Sequence, residues 1–360
     1  MMNLFMEGAL FQVTSAYSLF GSPVSSPSTK LAYRSSMARS VRIAVVGDVH
    51  DDWNLSEDTK ALQLLQPDLV LFTGDFGNEN VELVRSIADL QFAKAVILGN
   101  HDAWRTQQFA EKRKDKVQLQ LECLGEEHVG YRRLDYPALK LSIVGGRPFS
   151  CGGEQLFRKR LLASRYGVND MEGSAKKIYQ AALGAPDDYS VIFLAHNGPK
   201  GLGSKVDDIC GKDWGSGGGD HGDLDLTHAI THLKETTKLS IPLVVFGHMH
   251  KELLYGNGLR KMIVHGSDNT IYLNGAIVPR VKKMDGDQCT SNGSTNNVNN
   301  VVGILSPNSA GTLRAFTLVE ILDGKLKKIT ETWVSVVGSN TKLEEENVLY
   351  SADPMGTANL

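Results

Sequence analysis

The chain has 360 residues, enough for one large domain or two, and its 38 Lys and Arg against 41 Asp and Glu give a formal charge of −3. That balance leaves no basic footprint for a polyanion, so neither a nucleic acid nor an anionic membrane is an expected partner. Cys123, Cys151, Cys210 and Cys289 form no C-x-x-C pair or disulfide-like spacing, and no apolar run reaches the roughly 18 residues of a spanning helix.

Residues 1–40 hold nine Ser, one acidic residue (Glu7) and three basic ones (Lys30, Arg34, Arg39), and hydrophobic patterning starts immediately afterwards. This composition resembles an organelle transit peptide, and its few Arg favour the plastid stroma over the mitochondrion. A disordered leader on a cytoplasmic protein is the alternative. From Val41 three aliphatic runs, VRIAVV, DLVLF and AKAVIL, read as buried parallel strands. Residues 55–66, 80–90 and 104–116 have helical periodicity and fill the crossovers, whereas 117–130 have little pattern.

Residues 141–144 read as a strand running into GGRPFSCGG, where two Gly pairs flank Arg147. A guanidinium there would fork onto a phosphate oxygen; a surface arginine beside a turn is the other reading. Helices are expected over 154–166 and 173–183, and a strand over 189–195. Residues 197–225 carry nine Gly, too irregular for a core, and a loop this long is expected to border an active-site mouth. Within it Asp220, His221 and Asp223 either hold a further ion or are simply solvated, the latter being preferred.

Residues 224–233 read as a helix, 243–246 as a strand, and 261–265 and 270–274 as strands of a second sheet. The polar stretch 285–300 reads as a flexible insertion, 313–322 and 326–337 as a hairpin joined at Asp323-Gly324, and 338–360 as a loosely held tail. The body, 41–337, is therefore expected to be α/β: a two-layered β-sandwich of mixed sheets flanked by helices.

Five apolar runs stop at a polar cluster, in four of them opening on or enclosing Gly. They offer Asp48 and His50, then Asp75, then Asn100 and His101, then His196, then His248 and His250. Steps of 27 residues from Asp48 to Asp75 and 25 from Asp75 to Asn100 each fit a strand, crossover helix and strand of roughly 30 residues. Open α/β sheets place their chemistry at the carboxyl ends of such strands. His-x-His at 248 and 250 presents both rings on one side when the backbone is extended.

GD-x-H, GD, GNHD, the His of FLAHNGP and GHMH, in that order, resemble the calcineurin-like metallophosphoesterase superfamily. The resemblance implies two divalent cations, Mn, Fe or Zn, with Asp48, His50, Asp75 and His250 on one and Asp75, Asn100, His196 and His248 on the other. Asp75 would bridge them, His101 would be the general acid, and Asp102 would orient His101. The activity implied is hydrolysis of a small phosphomonoester or phosphodiester by a bridging hydroxide, since a metal pair lowers the pKa of bound water from 15.7 towards about 7. A non-catalytic protein-binding scaffold and a nuclease are the alternatives on the same fold. Asp51, followed by Asp52, stands where the family commonly has Gly after the first His, and FGNEN lacks the Asp-Arg-Gly of the Ser/Thr protein phosphatases. With the leader, VHDDW and GRPFS, the chain resembles a plant and cyanobacterial branch.

Overall fold

Alternation along the aliphatic runs divides their side chains between two cores. In β1 (Ser40–Val46) Ile43 and Val45 join one cluster while Ala44 and Val46 join another, as the two-residue period of a strand requires. β2 (Leu69–Phe72) and β3 (Lys94–Val96) repeat the division: Leu69, Leu71 and Ala95 lie with Ile43, and Val70, Phe72 and Val96 lie with Ala44. Strands covered on both faces need such unbroken apolar sequence. The computed structural model describes residues 39–110, 112–214, 218–284 and 311–352.

The parallel trio β1-β2-β3 continues antiparallel through β11 (Thr312–Leu322), β12 (Lys325–Val337) and β13 (Asn340–Ser351), with β10 (Val281–Lys283) also on β11. Asp323 (φ 50) and Gly324 (φ 74) make the two-residue turn between β11 and β12, whose positive φ values match the twist of a hairpin. The second sheet runs β4 (Arg133–Tyr136), β5 (Leu141–Gly145), β6 (Ser190–Leu194), β7 (Ser240–Phe246), β9 (Ile271–Asn274), β8 (Ile263–His265), parallel at its centre. Between the sheets, Ile43, Leu71 and Val319 share a core with Ile143, Ile192 and Leu243. The outer faces are packed by α1 (Leu55–Leu65), α2 (Val81–Ala88), α3 (Lys116–Leu124), α4 (Lys159–Tyr166), α5 (Met171–Leu183) and α6 (Leu224–Thr236). This is the sandwich of mixed sheets flanked by helices that the sequence predicts. Among the described residues no helix is long and apolar enough to cross a membrane.

Three stretches differ from expectation. The described residues of 104–115 form no α-helix, because the Glu79 carboxylate takes the N–H groups of Arg105 (2.7 Å) and Thr106 (2.5 Å) and fixes an irregular loop. The helix begins instead where Asp115 caps the N–H of Gln118 at 2.9 Å; its buried stripe is Val117, Gln120, Leu121 and Leu124, and the Gln obscures the period. Residues 154–158 stay outside α4, since Arg158 sits at φ 54. Beyond residue 338, Asn340–Ser351 is not a loose tail but the twelve-residue edge strand β13, mostly exposed and so without the apolar face by which a strand is recognised. The leader up to residue 38 and the insertion at 285–300 lie outside the described residues.

Candidate metal centre

The five polar clusters follow the carboxyl ends of β1, β2, β3, β6 and β7, so both sheets deliver side chains to one edge. Reaching that edge requires backbone that ordinary residues avoid: His50 (φ 43), Asp75 (φ 51) and His248 (φ 66) are all left-handed, each costing about 1–3 kcal/mol. Hydrogen bonds hold them there. Val49 and His50 both donate N–H to the Asp75 carbonyl (3.0 and 2.8 Å), and His248 donates its N–H to both oxygens of Asp48 (3.0 and 2.9 Å). The glycines of two motifs are explained by close approach. A Cβ on Gly99 would lie 2.3 Å from Asp75 Oδ1, and one on Gly247 2.1 Å from Asp48 Oδ1.

The side chains form two groups joined by one residue. Asp48, His50 and His250 meet in the first, with His50 Nε2 and His250 Nε2 3.0 Å apart and His250 Nε2 3.5 Å from Asp48 Oδ2. Asp75, His196 and His248 meet in the second, where His196 Nε2 is 3.3 Å from Asp75 Oδ1 and 2.9 Å from Asn100 Oδ1. Asp75 serves both, its Oδ2 lying 3.9 Å from His50 Nε2. His196 Nδ1 donates to the Thr73 carbonyl at 2.7 Å, which turns Nε2 towards the carboxylates.

The electrostatics of this edge favour cations. Burial alone would raise Asp75, but His196 outweighs it and the carboxyl is held far below its ordinary range; Asp48 is lowered too, against burial, chiefly by His250. Burial would lower His196, yet Asp75 and then Asp48 draw it up to about 10. His248, with less help from carboxylates, is pushed by burial down to about 3. Carboxylates, an amide oxygen and ring nitrogens converge, with no thiolate among them, and that donor set fits two divalent cations bridged by Asp75.

His101 is brought to the same place. It forms a third group with His50 and Asp75, its ring centroid is 5.0 Å from that of His50, and its Nδ1 lies 2.8 Å from Asn78 Oδ1. Asp102 does not orient it. The fully buried Asp102 carboxylate accepts main-chain N–H from Asp75 (2.9 Å), Phe76 (3.0 Å) and Gly99 (2.8 Å), tying the second motif to the third. Asn78, Thr73 and Trp104, which stacks on His101 at 4.8 Å, are participants the sequence reading missed. The one available signal for Asn78 is its place three residues after Asp75.

Arg147 does not clamp a substrate. It is 1% exposed and bound to Asp223 (Nη2, 2.6 Å) and Asp225 (Nε, 2.9 Å), because a guanidinium buried beneath the Gly-rich corner needs its charge matched there. Asp220, His221 and Asp223 do not converge either: Asp220 accepts from the main-chain N–H of Gly222 (2.8 Å), His221 Nε2 meets the Cys151 carbonyl (2.8 Å), and Asp223 takes Arg147. A cavity of about 860 Å³ opens beside the centre, with Asn100 and His248 at its base and Trp214 and His221 of the Gly-rich stretch in its wall.

Several solved structures match the chain at low identity. A dimetal phosphatase from Danio rerio is 11% identical, covering 87% of this chain and 99% of its own, with a TM-score of 0.37. A hypothetical protein from Thermus thermophilus is 12% identical, covering 85% and 100%, with a TM-score of 0.38, and a structure of PhoD is 10% identical, covering 88% and 73%, at 0.44. No curated protein matches the chain. The family described as calcineurin-like phosphoesterase matches residues 41–252. That match spans more than half the chain, from the first strand of the metal centre to just past its last ligand, and the chain therefore belongs to the calcineurin-like phosphoesterase family of metal-dependent hydrolases.

Proposed function

We propose that the chain hydrolyses small phosphoesters at this centre, with His101 giving a proton to the departing oxygen. The observation that carries the reading is the separation of tasks. Asp48, His50, Asp75, Asn100, His196, His248 and His250 converge on the cation positions, while His101, which borders His50 and Asp75 at the same edge, is held by Asn78 at Nδ1 and by Trp104 across its face. Its Nε2 is thereby left as the atom from which a proton is given, a role worth about 10²–10⁴-fold. The divalent pair, when bound, activates water and neutralises phosphoryl charge. Carboxylate, amide and imidazole ligands suit Mn, Fe and Zn, and manganese is the first to try.

The full-length protein, purified with Mn²⁺, is expected to carry two metal ions per chain by elemental analysis and to hydrolyse bis(4-nitrophenyl) phosphate until chelator is added. Turnover that survives exhaustive chelation overturns the proposal. Residence in the plastid stroma is also part of it, supported by the Ser-rich, Arg-poor residues 1–40, as is kinship with a plant and cyanobacterial branch, supported by VHDDW and GRPFS. A fluorescent fusion of residues 1–40 that stays in the cytosol would refute the location.

A further inference from the structure

The cavity beside the metal centre has a composition of its own. Two of the chain's four Trp line it, Trp104 (46% exposed) and Trp214 (38% exposed), and Phe157 joins them. Large aromatic rings left open to solvent beside a catalytic edge are the informative exception to burial. Trp104 lies parallel to His101, 8° between planes at 4.8 Å, and 6.1 Å from Phe157, so an aromatic wall begins at the proton donor itself. Trp214 is set by the residues around it. His221 packs edge-on against it at 4.7 Å, and the neighbouring Asp213 is paired with Arg260, whose Nε donates to the carbonyl of the ligand His250 at 3.0 Å.

The same wall is poor in positive charge. Among the described residues Arg158 is the one cation in its lining, beside two carboxylates, Glu154 and Asp220; Lys200 pairs with Glu154, and Lys212 Nζ lies 6.0 Å from the Trp214 ring centroid. Arg158 is drawn back to the main chain: its Nε donates to the Ala103 carbonyl at 2.6 Å, its Nη2 to the Trp104 carbonyl, and its guanidinium lies 4.2 Å over Phe157. Arg147, the other candidate for an anion, is consumed by Asp223 and Asp225. A ligand extending from the metal centre into this cavity therefore meets the rings of Trp104, Phe157 and Trp214, and the guanidinium in the lining is engaged with main-chain carbonyls.

We propose that this site acts on phosphodiester monoanions whose departing group is a planar ring or carries one, seated against Trp104 and Phe157. The inference rests on the phosphoesterase reading above. Water supplies the new P–O bond, the bond to the departing oxygen breaks, and that oxygen takes the proton of His101. The products are a ring-bearing alcohol or phenol and a phosphomonoester. The monoester left behind has lost the departing ring's contact with Trp104 and Phe157, which favours release over a second hydrolysis.

The test separates ring recognition from turnover. Calorimetric titration of the full-length, metal-loaded protein compares diphenyl phosphate with dicyclohexyl phosphate, equal in charge and different in planarity. Diphenyl phosphate is expected to bind about ten-fold tighter, as ring stacking on an indole implies. Trp104→Leu or Phe157→Leu, each checked for folding by circular dichroism, should shrink that preference below about three-fold. Equal affinities, or a preference unchanged in both variants, overturn the proposal, as does a higher kcat/KM for 4-nitrophenyl phosphate than for bis(4-nitrophenyl) phosphate. Ring preference with neither ester hydrolysed would refute the phosphoesterase reading while leaving the ring cradle standing.

Discussion

Two polar knots stand at strand ends in this fold, and both are marked in the sequence by glycines, acids and a basic residue. Around Arg147 the protein's own donors reach both carboxylates: the guanidinium spans Asp223 and Asp225, Ser150 donates to Asp223 at 2.6 Å, and Ser174 donates to Asp225 with Tyr131 against it, leaving Asp225 Oδ1 without a partner among the described residues. Around Asp75 the oxygens of Asp48, Asp75 and Asn100 are turned towards the ring nitrogens of His50, His196, His248 and His250, a set with more lone pairs than protons to fill them. A knot whose carboxylates are met by a guanidinium and hydroxyls of the protein itself holds the fold together. One with surplus acceptors calls for cations.

That contrast is broken most sharply by exchanging which property each substitution reads. Asp75→Asn removes the shared carboxylate and should lower kcat/KM for bis(4-nitrophenyl) phosphate by about 10⁴-fold, with metal content falling and the urea midpoint barely moving. Full metal occupancy in that variant would deny Asp75 its bridging place. Arg147→Met should do the reverse. Two buried carboxylates lose their guanidinium, at about 3–5 kcal/mol of stability, while the metal content of the protein that still folds is unchanged. Denaturant unfolding measures the first effect, and a loss below about 1 kcal/mol would return Arg147 to the substrate-binding groups.

How far the sequence carries depends on whether a role is written locally. Strands β1, β2, β3, β6 and β7 are legible because each is an aliphatic run covered on both faces and ended by a polar cluster, and their ligands come with them. β13 is not, since Lys342, Glu344, Glu345 and Glu346 give it no apolar face and only pairing with β12 makes it a strand. The partner of Arg147 lies 76 residues away at Asp223 and that of His101 lies 23 residues back at Asn78, separations no local pattern encodes. Asp102 misled because adjacency in sequence stood in for contact. Its carboxylate points to the main chain of its own and a neighbouring motif.

The pair Asp102 and Asn78 sharpens the comparison at smaller effect. Asp102→Asn replaces an acceptor of three main-chain N–H groups by an amide that opposes one of them, and is expected to cost about 2 kcal/mol of stability. Asn78→Ala leaves the folded core untouched and frees the His101 ring, so kcat should fall about ten-fold with metal content retained. An Asn78→Ala enzyme as fast as the parent would show that Trp104 alone positions the ring.

The smallest effect comes from a buried histidine that has no carboxylate at all. His128 is 4% exposed, its Nε2 finds no hydrogen-bond partner, and burial followed by the Arg165 and Arg132 guanidinium groups pushes it from 6.5 down to about 3. The unfolded chain therefore takes up this proton near pH 6.5 while the folded chain refuses it until about pH 3, so stability falls as pH falls through that window. At pH 6 the loss is about 0.8 kcal/mol relative to high pH, steepening towards about 1.4 kcal/mol per pH unit below it. His128→Phe removes the proton from the balance. Urea unfolding of the two proteins at pH 8 and pH 6 should show the parent losing about 0.8 kcal/mol more than the variant, because carboxylates common to both cancel in the difference. Parallel pH profiles would mean that the buried ring is charged and paired in the folded state, a second cation-stabilising site where the geometry has none.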